Sequence, residues 1–291
     1  MSLIVNKLKS LIVYLKRGLA FVGFNTPPSV FIVGAQKAGT TSLHDYLSEH
    51  PQIQSGLLKE VRYYSVDNNY AKGNRWYHSF FPYAGNKKTL DATPEYLYYP
   101  YVAQRLYDYN PNAKIVIVLR NPIDRAYSAW NMYRQFGEEK SSFNSNFLDA
   151  LKIRQPEEFN YFYASSFPSF ETVVRKGIET ISKGEKDYFG ILSRGFYLNQ
   201  INEYWKHFNP EQIKIIETED LKGKNDIVMS ELTRFLDVST IKWQKMLEKS
   251  EGNVRKYNAP MDSNTRELLL KLYENTNHEL YTKLNKHINW Q

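Results

Sequence analysis

The chain of 291 residues contains no cysteine, which excludes disulfides and cysteine-ligated metal sites. It also lacks any Asn-x-Ser/Thr sequon, which disfavours a glycosylated secretory protein. A reducing, bacterial cytoplasmic setting fits both absences. No apolar run is long enough to span a bilayer, and no small-residue cleavage site marks a signal peptide. There is no Lys/Arg-rich arm and no known nucleic-acid module, so DNA and RNA are not expected partners. No linker rich in Gly, Ser or Pro divides the chain, which predicts a single domain over residues 29–291.

What is present is a globular composition, 42% hydrophobic and 15% aromatic, with 23 tyrosines that suit a core or a stacking surface. The formal charge of +7 fits an anionic ligand such as a nucleotide. Residues 1–28 stand apart as a basic amphipathic extension. Ile4, Leu8, Leu11, Ile12, Leu15, Leu19 and Val22 share one helical face, with Lys9, Lys16 and Arg17 away from it. Two readings stand for this helix: it lies on an anionic membrane surface, or it packs on its own domain.

The most informative segment is Gly34-Ala35-Gln36-Lys37-Ala38-Gly39-Thr40-Thr41-Ser42. The apolar run Val30–Val33 precedes it and the amphipathic positions Leu43, Tyr46 and Leu47 follow it. That is a buried strand, a glycine turn and a helix start, which offers backbone N–H groups and a positive dipole end to a phosphate. The glycines have P-loop spacing, but Thr40 stands where a nucleotide triphosphatase has lysine, and Lys37 lies inside the loop. The loop should therefore hold a phosphate-like group with its cation aimed differently.

Further strands are predicted at Lys88–Thr93, Ile115–Leu119 and Ile213–Ile216, and Leu57–Tyr64 reads as extended. Helices are predicted over 74–81, 98–109, from Pro122 to about Gln135, and near 143–153, 170–183, 193–208, 225–236 and 262–286. Residues 156–170 read as an aromatic loop whose Tyr161 and Tyr163 either stack on a sugar or pack on one another. The alternation predicts an α/β fold with a P-loop-like, doubly wound parallel sheet flanked by helices. Ligands of such sheets bind beyond the C-terminal strand ends, where Gly34 and Arg120 would fall.

A nucleotide triphosphatase usually ends its later buried strand in Asp, which helps hold Mg²⁺. Here that run ends in Arg120, and Ser128 follows eight residues on with Arg125 between them. A strand-end arginine and a helix hydroxyl suit a second compact anion. Two anion sites without a metal carboxylate suggest a ligand phosphorylated at two separated places.

The pair Gly-x-x-Lys37-x-Gly-Thr-Thr-Ser and Arg120-Asn121-Pro122-x-x-Arg125-x-x-Ser128 resembles the sulfotransferases that use 3′-phosphoadenosine 5′-phosphosulfate (PAPS). The resemblance is closest to the carbohydrate, heparan-sulfate-type branch and its bacterial relatives, and spans roughly residues 29–291, through Glu219-Asp220-Leu221 to Trp290. It implies PAPS as co-substrate, no metal, and transfer to a hydroxyl or amine of a glycan or glycan-like acceptor, with polysaccharide, glycolipid and small alcohol all open. It also implies that Gln36, Lys37, Ala38, Gly39, Thr40, Thr41 and Ser42 hold the 5′-phosphosulfate, and Arg120 with Ser128 the 3′-phosphate.

Within this likeness, Glu60 of Lys59-Glu60-Val61-Arg62-Tyr63-Tyr64 is the general base, desolvated by its apolar neighbours, and Lys37 stabilises the leaving phosphate. His44, His50 and His78, rival bases, read as structural. The chain also departs from the branch. Ala92 precedes Thr93-Pro94-Glu95-Tyr96 where the branch has lysine, leaving Lys59 or Lys88 to replace that cation. Arg255 and Lys256 stand in for a late Lys-Gly-Arg phosphate loop. The competing reading is a P-loop phosphotransferase using ATP.

Overall fold

The computed structural model describes residues 2–139, 141–223, 225–243, 260–286 and 290. Among the described residues there are five strands: β1 (Val30–Gly34), β2 (Ile53–Ser55), β3 (Lys88–Ala92), β4 (Lys114–Leu119) and β5 (Ile213–Glu217). The helices are α1 (Ser2–Phe21), α2 (Thr40–Ser48), α3 (Asp67–Tyr70), α4 (Gly73–His78), α5 (Pro100–Tyr109) and α6 (Pro122–Glu138). They continue with α7 (Ser142–Arg154), α8 (Pro156–Tyr163), α9 (Phe170–Ser182), α10 (Tyr197–Trp205), α11 (Thr218–Gly223), α12 (Asn225–Phe235) and α13 (Ser263–Leu284). The chain forms two compact units, residues 1–119 with 200–254 and residues 120–199 with 255–291.

The first unit holds the whole sheet, in the order β2-β3-β1-β4-β5 with every pairing parallel. β1 is buried along its length, as is β4 after Lys114. This explains their unbroken apolar runs: a strand covered by helices on both faces has no polar side to alternate with. From β1 the chain passes to the edge strand β2, returns to place β3 between β2 and β1, then crosses to build β4 and β5 on the other side. β1 is therefore the topological switch point, and the loop after Gly34 opens where such sheets bind ligands.

The segment Leu57–Tyr64 is not extended. Glu60 and Arg62 both adopt positive φ, 61° and 56°, so the chain turns sharply there. The short strand Ile53–Ser55, which no pattern marked, pairs with β3 instead.

In the first unit, α1 is fastened near its C-terminal end. Ala20 is fully buried, Arg17 Nε donates to Ser79 Oγ at 3.2 Å, and Arg75 Nε donates to the Phe21 carbonyl at 2.9 Å. The described part of its apolar stripe (Leu11, Ile12, Leu15, Leu19 and Val22) is exposed rather than packed on the domain.

The second unit is helical around an aromatic-rich core that includes Ile123, Tyr133, Phe162, Val174, Leu192, Leu269 and Tyr273. The predicted loop 156–170 begins as helix α8, and its tyrosines pack internally. Tyr163 Oη donates to the Tyr133 carbonyl at 2.8 Å, and the Tyr161 ring lies against Phe162 and Tyr188. The predicted helix 193–208 starts later, at Tyr197, after a single 3-10 turn over Ser193–Gly195.

Candidate active site

The sheet presents its loop through two glycines with different jobs. A Cβ at Gly34 would come 2.4 Å from Leu97 Cβ, so the strand can approach the segment after β3 only without a side chain. The Leu97 N–H, donating to the Val33 carbonyl at 2.7 Å, locks that approach. Gly39 caps α2 with φ 91°, a left-handed conformation open to glycine, and no side chain caps the helix. The first N–H groups of α2 therefore face outward with the dipole behind them, as an anion site needs. Lys37 also has positive φ, 69°, within the loop. The Gln36 amide oxygen is buried without a hydrogen-bond partner, as expected of a group shaped for a ligand donor.

Glu60 stands beside this loop in the first unit. Lys59 Nζ donates to Thr41 Oγ1 at 2.8 Å and lies 3.4 Å from Glu60 Oε1. Arg62 Nη2 lies 3.5 Å from Glu60 Oε2. The apolar neighbours expected to wrap the carboxylate are turned away from it: Val61, Tyr63 and Tyr64 are buried, while the Glu60 side chain keeps 36% exposure between its two cations. Its neighbours are thus two cations and solvent, at a residue whose φ is positive.

The turn rests on a polar network under β3. The Glu60 N–H donates to the Ala92 carbonyl at 3.2 Å, and the Tyr63 N–H to Tyr96 Oη at 3.0 Å. Asp91 is buried beneath, accepting from Tyr77 Oη at 2.6 Å and Thr93 Oγ1 at 2.8 Å. Burial pushes its pKa above the usual carboxylate range, partly opposed by those donors. The two lysines expected to replace the one missing at Ala92 are placed differently around this network. Lys59 is next to Glu60, whose amide is bonded to Ala92, whereas Lys88 begins the same strand at its other end. Four residues of strand separate Lys88 from Ala92, about 13 Å.

The rival histidines each have a polar partner. His50 is buried, with Nε2 2.8 Å from the Ser239 carbonyl, and His78 Nε2 meets Tyr109 Oη at 2.9 Å. His44 pairs with Asp45 at 3.2 Å. Burial lowers the pKa of both His44 and His78, so both favour the neutral form.

In the second unit, Arg120 precedes α6, and its carbonyl accepts from Tyr197 Oη at 2.8 Å. The Asn121 side chain caps the helix by accepting from the Ile123 N–H at 2.9 Å. Ser128 is 4% exposed on the buried face that also carries Arg125, so it is not a surface hydroxyl. Arg125 is wholly buried and its Nη2 donates to the Ile191 carbonyl, while its Nε and Nη1 are buried without a hydrogen-bond partner. Arg255 and Lys256 lie outside the described residues.

Sequence reasoning missed Thr218, the first residue of α11, whose buried hydroxyl lies 2.6 Å from the Ala38 carbonyl and 2.9 Å from the Leu119 carbonyl. Its only signal was its place immediately after the apolar run of β5.

A model of the sulfotransferase domain matches residues 27–283. The chain is 28% identical to the membrane-associated sulfotransferase kil1 of Dictyostelium discoideum, over 91% of this chain and 66% of that protein. It is 29% identical to the bifunctional heparan sulfate N-deacetylase/N-sulfotransferase 4 of Mus musculus, over 89% of this chain and 30% of that protein. The chain therefore spans less than two thirds of the length of either relative. Among solved structures, a sulfotransferase from Alicyclobacillus acidocaldarius superimposes with a TM-score of 0.64 at 26% identity, covering 90% of this chain and 98% of that one. With the match covering most of its length, the chain belongs to the sulfotransferase family.

Proposed function

We propose that the chain transfers the sulfuryl group of PAPS to a hydroxyl or amine of a glycan or glycan-like acceptor. The observation that carries this reading is the uncapped N-terminus of α2, with Lys37 in its loop and Glu60 held alongside by Lys59. Glu60 takes the acceptor proton as the acceptor oxygen or nitrogen attacks sulfur in line. The bond from sulfur to the 5′-phosphate oxygen breaks, and adenosine 3′,5′-bisphosphate departs. Lys37 and the α2 amides stabilise the charge that collects on it. Residues 36–42 hold the 5′ end, and Arg120 and Ser128 take the 3′-phosphate as the family likeness assigns them. The heparan sulfate relatives support a carbohydrate acceptor, and the cysteine-free composition supports a reducing compartment.

The 3′-phosphate is remote from the transferred group, so its contacts should act on binding. Arg120→Ala should raise the KM for PAPS by an amount equivalent to about 2–5 kcal/mol, and Ser128→Ala by less, with kcat at saturation retained. Initial rates with PAPS and with adenosine 5′-phosphosulfate test this. Both variants should lose preference for PAPS; preference as sharp as wild type in both would overturn the assignment.

We further infer that α1 rests on an anionic membrane surface. Its exposed apolar stripe, exposed Lys16, and the lack of any acid before Asp45 support this. Among the described residues no helix is long and apolar enough to cross a membrane. The full chain should co-sediment with phosphatidylglycerol vesicles at low salt and release at about 1 M, where the Debye length is about 3 Å. Equal binding after deletion of residues 1–25, or none by the full chain, would contradict it.

A further inference from the structure

We propose that Thr218 is the positioning residue that sets the anion loop for catalysis. This rests on the reading of that loop as the sulfuryl-donor site. The loop contains two residues at positive φ, Lys37 and Gly39. Lysine lacks glycine's freedom there, so its conformation persists only where neighbours hold it. Two of the holding bonds are the loop's own backbone contacts: the Ala35 N–H donates to the Val118 carbonyl at 2.7 Å, and the Ala38 N–H to the Ala35 carbonyl at 3.1 Å. The side-chain tie is Thr218. Its single hydroxyl proton is shared between the carbonyl of Ala38, midway between the two positive-φ residues, and the carbonyl of Leu119, the last residue of β4.

Three strand ends are joined at this hydroxyl. Ala38 belongs to the loop after β1, Leu119 closes β4, and Thr218 directly follows β5. The residue is 5% exposed, so water does not compete freely for either carbonyl. Its methyl also faces the loop: Thr218 Cγ2 would sit 3.8 Å from a Cβ built at Gly39, at ordinary contact distance. Thr218 thus fixes the peptide between Ala38 and Gly39 by a bond to its carbonyl, with the methyl close over Gly39. That peptide carries the N–H of the α2 cap and follows Lys37 by one residue. Thr218 touches no reacting atom in this arrangement; it acts through the loop.

The test uses Thr218→Val, which keeps the shape and removes the hydroxyl, and Thr218→Ser, which keeps the hydroxyl and removes the methyl. Thr218→Val should lower kcat about 10–100-fold per folded molecule, the scale of a small misplacement of a catalytic group, with the KM for acceptor unchanged. It should also weaken adenosine 3′,5′-bisphosphate binding, read by calorimetry. Thr218→Ser should return to within about threefold of wild type in both, because the bond rather than the methyl carries the effect. A merely structural residue would lower the thermal midpoint of Thr218→Val and leave kcat per folded molecule intact. That result, or a serine variant as slow as the valine one, overturns the proposal. A wild-type chain that fails to bind adenosine 3′,5′-bisphosphate would instead overturn the donor-site reading on which it rests.

Discussion

Glu60→Gln should leave PAPS affinity near wild type while kcat falls about 10²–10⁴-fold, the usual contribution of a positioned general base. The amide keeps the size of the side chain and one acceptor oxygen, but it cannot take a proton from the acceptor. The substitution also weakens the contacts at 3.4 Å to Lys59 and 3.5 Å to Arg62. Those contacts are long, and the carboxylate is 36% exposed, so they contribute little to folding. A loss of turnover with an unchanged thermal midpoint therefore reports chemistry. Near-wild-type turnover in Glu60→Gln would remove Glu60 from the role. His44, close enough to feel the charges of Lys59 and Glu60, would be the next residue to replace.

Lys37→Ala should cost about 10²-fold or more in kcat while binding of adenosine 3′,5′-bisphosphate weakens much less. The α2 amides supply ground-state affinity for the phosphate whether or not the lysine is present. The ammonium matters most as the sulfur–oxygen bond breaks and charge accumulates on the leaving oxygen. Alanine can also relax the positive-φ backbone at residue 37, so Lys37→Met, which keeps the stem, should reproduce the loss. Single-turnover rates at saturating PAPS measure the step directly. An unchanged kcat in both variants would place the stabilising charge elsewhere, with Lys59, whose Nζ donates to Thr41 Oγ1 of the loop helix at 2.8 Å, an alternative.

The parts of the site that were legible in the sequence follow from patterns that physics forces. β1 and β4 had to be continuous apolar runs because both are covered on two faces. The anion loop had to carry glycine where a side chain would strike Leu97 and where the cap needs φ 91°. The illegible parts depend on contacts distant in sequence or on conformations with no residue signature. Glu60 and Arg62 take positive φ without glycine, so the segment read as extended when it is a turn. That turn reverses the expected surroundings of Glu60. Ile53–Ser55 is too short to show alternation and owes its existence to pairing with β3. In residues 156–163 the dense aromatics masked a helix that opens with Pro156, and its tyrosines found partners on α6 and near Tyr188. Thr218 carries no motif at all, since its tie to Ala38 spans 180 residues of sequence.

The most direct measurement is calorimetric titration of the full chain with adenosine 3′,5′-bisphosphate and with ATP, in EDTA and then in Mg²⁺. A sulfuryl-donor site of the kind proposed, with α2 amides and Lys37 at its 5′ end, should bind the bisphosphate stoichiometrically in EDTA and gain nothing from Mg²⁺. ATP, which lacks the 3′-phosphate, should bind far more weakly under both conditions. Tight binding of ATP that requires Mg²⁺, with no heat from the bisphosphate in EDTA, would contradict sulfuryl transfer from PAPS and favour a phosphotransferase.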